Sequence, residues 1–372
     1  MLPPFLQSVL AFVVVLGVLV YVHEFGHYLA ARLCGVHVEV FSIGFGQAIT
    51  SWRDRVGTVW KLGWLPLGGY VKLHGLERPD TVPPEVRAGW IPGRTFHDKS
   101  IPRRAIVVAA GPVANFILAV VLFALLFATA GKPETVTPIP PVASEVVAGS
   151  PADQAGLHAG DRIEAIDGTP TATFADVQQI VSAHPGDRLT LTIRRGGTEQ
   201  TVTATPAART DKAGKTTGML GIAGGQVTYH RLDPATAVVQ GAEQTWLVTK
   251  ETVKGVAQMV TGKRGAEELG GPLRIAQLSG QVAQLGLASL ISFIAILSVN
   301  LGLINLFPIP VLDGGHLLFY LAEAVYGRPM PVKAQEIGFR AGLALLAGLF
   351  VFATWNDLTN LGIVHWVVRL FG

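Results

Sequence analysis

The sequence predicts a multi-pass α-helical membrane protein with about four transmembrane helices, an inserted α+β domain and a small membrane-associated β element. Three observations predict it. Four long apolar stretches lie near residues 5–31, 105–130, from 285 to Asp313, and 341–353. Only 15% of the 372 residues are charged and 49% are hydrophobic, with a mean hydropathy of +0.43; soluble domains carry about 25% charged residues. The charges that remain are concentrated in two long segments between the apolar stretches.

A bilayer core takes roughly 20 apolar residues in a helix. The first three stretches qualify, and the fourth does if its helix starts near Gln335. The first has no basic leader and is too long for a cleaved signal peptide, so it reads as a permanent helix. Segment 35–104 holds ten Lys/Arg against six Asp/Glu, and Arg103 and Arg104 abut the second stretch. Segment 131–284 holds fourteen against fifteen. The positive-inside bias then puts 35–104 and 327–334 in the cytoplasm, and 131–284 with both termini outside. The net charge of +3 behind the pI of 9.0 is too small for a nucleic-acid footprint. Cys34 is the single cysteine, so no internal disulfide and no cysteine-rich metal site is available.

Within the first stretch stands His23-Glu24-Phe25-Gly26-His27, an H-E-x-x-H pattern. Residues i and i+4 share a helix face, so both imidazoles can reach one metal ion. Glu24 beside them is suited to take a proton from water that the metal activates. H-E-x-x-H alone is only moderately specific. Its place inside an apolar span sharpens it, because ionisable groups there are costly and usually functional. Arg32, nine positions on, is the first basic residue. At 1.5 Å per residue the metal would sit roughly 13 Å below the cytoplasmic surface.

Two imidazoles need a third ligand if zinc is to keep one open position. Asn305-Leu306-Phe307-Pro308-Ile309-Pro310-Val311-Leu312-Asp313-Gly314-Gly315 offers it. The prolines break the helix. Broken backbone at membrane depth survives where protein or a water-filled cavity satisfies it. Asp313 is the carboxylate of this turn, with glycines permitting close approach behind it; His316 is the rival ligand.

A membrane-embedded HEFGH followed by NLFPIPVLDGG, with a PDZ-like segment between them, resembles the site-2 protease family of intramembrane zinc metalloproteases. Within it the chain looks most like the bacterial regulator-of-sigma-E type. The resemblance covers essentially the whole chain. It implies that His23, His27 and Asp313 bind Zn²⁺ and that Glu24 is the catalytic base. It also implies that Asn305 holds the substrate backbone, with Asn300 as a second such residue. It implies single-span membrane protein substrates (an anti-sigma factor or a remnant signal peptide), trimmed first by an upstream site-1-type protease. The implied setting is the bacterial inner membrane, with the active site near the cytoplasmic side and the PDZ module outside. Some members carry two tandem PDZ modules; this chain has room for one, so gating is expected to differ.

The expected segments are 1–34, the first span with HEFGH; 35–104, a membrane-associated β loop; 105–130, the second span; and 138–206, the PDZ module. They continue as 207–284, an outer segment with an amphipathic helix; 285–326, the third span region; and 335–356, the fourth span. In the PDZ segment, Gly149-Ser150-Pro151-Ala152, Ala155-Gly156-Leu157 and Gly160-Asp161-Arg162-Ile163 resemble the bacterial signature. Residues 174–183 have helical spacing and 189–194 alternate as a strand. Such a module binds an extended segment by strand addition or excludes bulky substrates by size, and both readings stay open. Residues 207–218 read as a flexible loop.

Residues 57–75 read as a β element with its turn at Gly68-Gly69. It serves either as an edge for an unwound substrate or as a hairpin anchored on the bilayer by tryptophans. Asp233-Pro234 starts a helix with an apolar stripe of Val239, Ala242, Trp246, Thr249, Val253, Val256 and Val260. That stripe suits the outer membrane surface or ordinary packing. The rival to a protease is a non-enzymatic PDZ membrane scaffold, which has no use for ionisable residues inside a span. A metal transporter would need polar residues in several spans, and the second and fourth have almost none.

Overall fold

The computed structural model describes residues 3–77, 82–135, 138–210, 216–224, 227–265 and 270–360. Four of its helices are long and apolar enough to cross a membrane. These are α1 (Pro4–Leu33), α3 (Ile101–Thr129), α8 (Leu287–Leu306) and α10 (Val332–Asn360). Exposed Phe5, Leu10, Val14, Ile117, Val121, Leu345 and Phe350 stud their outer faces, as expected of helices solvated by lipid. The chain divides into two compact units, one of Met1–Thr129 with Asp233–Gly372 and one of Ala130–Leu232.

In the helical unit, small residues set the packing. Gly26 of α1 lies against the Ala110 carbonyl and Ala114 of α3, where a Cβ would collide. Gly302 of α8 packs close to the Pro112 carbonyl and Asn115, where a Cβ would be tight. Close backbone approach through small residues drives helix association in lipid, where apolar burial alone gains little. Val15 and Leu19 of α1 form a buried cluster with Ile294 of α8.

Between α1 and α3 runs the β element, β1 (Val38–Arg53) and β2 (Val59–Leu73), followed by the short α2 (Pro84–Ala88). Each long strand folds back on itself, so that Val40 pairs with both Lys72 and Val59, and Phe41 with both Val71 and Trp60. Gly68-Gly69 closes the fold-back of β2, since Ile43 pairs with both Leu62 and Gly69, and a second turn joins β1 to β2. It lies at residues 54–58, where Asp54 Oδ1 accepts from the Val56 and Thr58 N–H groups and Oδ2 accepts from Trp60 Nε1. Burial works to raise the Asp54 carboxyl, but these bonds outweigh it and hold the group below the usual carboxylate range. The element docks on α1 through aromatic rings: Tyr28 meets Phe41 and Trp60 at centroid distances of 5.8 and 5.2 Å, within the range where such pairs attract. Glu39 braces it further, pairing with Lys72 and His74 at 2.7 Å each.

Past α3, the second unit begins with β3 (Lys132–Thr135), β4 (Ala143–Val146), α4 (Pro151–Gln154), β5 (Arg162–Ile166) and β6 (Thr169–Pro170). It continues with α5 (Phe174–Ala183), β7 (Leu189–Arg195), β8 (Thr198–Ala204), β9 (Ala207–Thr210), β10 (Thr216–Met219), β11 (Ile222–Gly224) and β12 (Val227–His230). The main sheet has the order β6-β5-β7-β8. Its inward alternation buries Leu189, Leu191 and Ile193 against Ile163, Ile166 and Val177, each worth roughly 1.5–3 kcal/mol. A Thr173/Asp176 capping box starts α5. The unit extends beyond residue 206. Leu220 completes the same core, Ile222 packs against it, and β11 pairs with β4. Within 207–218, β9 and β10 pair in antiparallel register rather than forming a loop, and 211–215 lie outside the described residues.

The chain returns to the helical unit at α6 (Pro234–Val260), capped by Asp233 through the N–H groups of Ala235 and Thr236. Its buried face is not the apolar stripe. Ala237, Gly241 and Thr245 are buried, with Gly241 against the α3 backbone at Val120 and Ala124, whereas Trp246 is 69% exposed. Small residues win that contact because they let the two backbones approach. Next comes α7 (Pro272–Gln284). Asp357 of α10, 2% exposed, caps it by accepting from the Gly271 and Arg274 N–H groups at 2.9 and 3.0 Å. After α8 the chain breaks at Phe307–Leu312 and resumes as α9 (Asp313–Tyr326).

Candidate metal centre

The prolines dictate the break between α8 and α9. Phe307, before Pro308, is extended at φ −62°, ψ 142°, and Val311 is held at φ +102°, a strained conformation for a β-branched residue. The turn closes because Gly314 and Gly315 lie against the carbonyls of Leu306, Phe307 and Ile309, where a Cβ has no room. Asp313 thereby becomes the first residue of α9, in reach of α1.

His23, His27 and Asp313 come together there. The two Nε2 atoms are 3.3 Å apart, and Asp313 Oδ2 lies 3.3 Å from His23 Nε2 and 3.4 Å from His27 Nε2. No hydrogen-bond donor satisfies the buried Oδ2 among the described residues. Two imidazole nitrogens and a carboxylate oxygen packed this closely have the donor chemistry of a cation site. Nitrogen and oxygen ligands set tetrahedrally at about 2.0–2.1 Å from zinc stand about 3.3–3.4 Å from one another. The triangle therefore fits zinc, and these three residues could hold a metal ion.

The wall behind the imidazoles is α3. His27 Nδ1 donates to the Val107 carbonyl at 2.9 Å, which leaves the Nε2 lone pair facing the cluster. Gly111, one turn on, leaves the space that both rings fill. One turn further, Asn115 is fully buried, with Nδ2 3.2 Å from His23 Nδ1. Val107, Gly111 and Asn115 thus form one stripe at i, i+4 and i+8. The sequence reading missed it, although Asn115 stands out as the amide in an otherwise apolar stretch.

Glu24 faces the β element. A Cβ on Gly69 of β2 would lie 2.8 Å from Glu24 Cγ, so glycine is what lets the strand pass beside this carboxylate. His316 is not in the triangle; its ring packs against Phe339 at 5.3 Å. Asn305 is half-buried, and none of the hydrogen bonds among the described residues engages its side chain. Asn300 Oδ1 accepts from Thr252 Oγ1 of α6 at 3.0 Å.

A family model, peptidase family M50, matches residues 11–349. The chain belongs to peptidase family M50. These are the site-2 type membrane zinc proteases, and the M50 relatives fit that description. "Putative zinc metalloprotease Atu1380" of Agrobacterium fabrum is 43% identical over 370 residues, covering 95% of this chain and 96% of the relative. "Regulator of sigma-E protease RseP" of Salmonella typhimurium is 34% identical over 453 aligned positions, covering 96% and 99%. That alignment is longer than this 372-residue chain, so the relative carries additional residues within it. Among solved structures, the PDZ domain of the SdrC-like protein Lmo2051 from Listeria monocytogenes is 28% identical. It covers 24% of this chain and 90% of its own, with a TM-score of 0.21. The M50 chain is thus a multi-pass membrane zinc protease.

Proposed function

We propose that this M50 protease cuts single-span membrane proteins within or beside their own helix, with His23, His27 and Asp313 as zinc ligands and Glu24 as general base. The observation that carries the reading is the triangle of Nε2, Nε2 and Oδ2 atoms, matched in edge length to a tetrahedral zinc site and built into an apolar span beside Glu24. Zinc, when bound, polarises the scissile carbonyl and acidifies water. Glu24 takes the proton from the attacking water and returns it to the leaving amine. The apolar flanks of α1 keep bulk water from that exchange.

A helical substrate shields its peptide bonds with its own hydrogen bonds and must be unwound. The Gly69–Leu73 part of β2 has one strand partner, Val38–Ile43, among the described residues, so its other edge is open to strand addition. Asn305, whose side chain has no hydrogen bond among the described residues, is suited to hold the unwound backbone, with Asn300 as a second such residue. The natural substrate class is an anti-sigma factor or a remnant signal peptide, shortened first by a site-1-type protease. The Lys/Arg excess of 35–104 favours a cytoplasmic β element and an outer PDZ module in the inner membrane.

Metal analysis and cleavage of a single-span reporter test the chemistry. Glu24→Gln is expected to keep zinc and the fold and lose cleavage; full activity in that variant sinks the base assignment. Asp313→Ala is expected to lose zinc, and unchanged zinc content would make His316 or another group the third ligand. For sidedness, a cysteine at Thr216 in a Cys34→Ala background should label with an impermeant reagent in spheroplasts. Labelling only after lysis inverts the topology.

A further inference from the structure

We infer that Asn115 is the positioning residue for His23, its side-chain oxygen fixing the imidazole in the one tautomer that leaves Nε2 free for metal. The inference rests on the zinc-ligand reading above and goes a step beyond it. His23 Nε2 points into the triangle with His27 and Asp313, 3.3 Å from each partner atom. A neutral imidazole carries its proton on one nitrogen only. If Nε2 is to offer a lone pair, the proton sits on Nδ1, and a buried Nδ1–H needs an acceptor.

The group at that position is the Asn115 side chain, 3.2 Å away, fully buried, on the helix wall that also holds His27. With its NH2 towards His23, Asn115 leaves Oδ1 buried and unpartnered among the described residues. It also gives His23 Nδ1 a donor, which selects the wrong tautomer for ligation. A half-turn of the amide reverses both faults: Oδ1 accepts from Nδ1–H, and the orphaned oxygen is paired. The backbone does not move in that half-turn, because Ser298 Oγ donates to the Asn115 carbonyl at 2.8 Å. His27 is oriented by the Val107 carbonyl, a backbone group that no substitution removes. His23 depends on a side chain, so its orientation can be tested by mutation.

The full chain, purified in detergent, is titrated against buffered free zinc, and the melting temperature is measured with and without zinc. Asn115→Leu, close in shape but without an acceptor, is expected to weaken the zinc Kd about 10–100-fold. It should also shrink the zinc-induced rise in melting temperature. Asn115→Asp, which keeps an oxygen towards Nδ1–H, is expected to retain zinc close to wild type. A wild-type Kd in Asn115→Leu overturns the inference. So does an equal loss in the Leu and Asp variants, or a fall in melting temperature that is the same with and without zinc, which marks a purely structural role. If the leucine variant does not insert, Asn115→Ala takes its place with the same expectations. His23→Ala and Asp313→Ala separate this inference from its parent. If they lose zinc while Asn115→Leu binds normally, only the Asn115 assignment falls; if they keep zinc, the ligand assignment falls with it.

Discussion

Gly111 has no side chain, and the imidazoles of His23 and His27 occupy the space where one would be. The residue matters through absence, and that is why motif reasoning passed over it. H-E-x-x-H and the Asp313 turn were legible because ionisable groups and paired prolines are improbable inside an apolar span. A glycine or an amide on the facing helix carries no such cost signal, and only the packed structure gives it meaning. Gly111→Ala is expected to push both rings out of register with Asp313. Overpacking of this kind costs roughly 1–3 kcal/mol, equivalent to about 5- to 150-fold in zinc affinity. Zinc content at buffered free metal measures it, and wild-type retention with full activity contradicts the cradle.

The proposed metal site joins α1 to α9, so the elements must be held as firmly as the ligands. Arg104 at the start of α3 does this for α9. Its guanidinium pairs with both carboxylate oxygens of Glu323, at 2.8 and 3.4 Å, with the two side chains only 10% and 16% exposed. It also lies 5.0 Å over the Tyr320 ring. Removing one partner of a buried pair strands the other charge, at about 3–5 kcal/mol, whereas replacing both with apolar groups is close to neutral. Arg104→Met and Glu323→Leu alone should each lower the melting temperature and loosen zinc, and the double variant should recover most of both. A double variant as damaged as the sum of the singles removes this clasp from the account.

Elements were less legible where one residue type serves two purposes. Gly68-Gly69 reads as a turn from sequence and closes the fold-back of β2, yet Gly69 also serves close approach to Glu24, and the turn between β1 and β2 belongs to Asp54. The stripe through Trp246 has helical spacing, yet α6 packs by Gly241. Helix existence followed from apolar length; helix contacts followed from small residues, which hydropathy does not weight.

At the scale of the molecule, the chain enters and leaves the Ala130–Leu232 unit on paired strands, Lys132 opposite His230 and Thr135 opposite Val227. Opposed Cα atoms in such a pair stand roughly 4.5–5.5 Å apart, a gap that a two-residue Asn-Gly hairpin closes. Replacing 136–226 by Asn-Gly therefore removes the body of the unit and leaves β3 and β12 as a hairpin. A deletion of 140–206 would instead leave Leu220 and Ile222 without the core they pack against. His23, Glu24, His27 and Asp313 lie outside the excised span, so the shortened protease is expected to keep zinc and its chemistry. If the unit excludes substrates by bulk, the variant should cut an untrimmed single-span protein that the full chain leaves intact, with the trimmed form cut at the usual rate. If the unit captures a new terminus, strand addition in the groove between α5 and residues 217–222 raises the local substrate concentration. Loss of that tethering should then slow cleavage of the trimmed form by about 10²–10⁴-fold and gain nothing on the untrimmed one. Wild-type rates on both substrates, in a variant shown to insert and bind zinc, would remove the unit from substrate selection altogether.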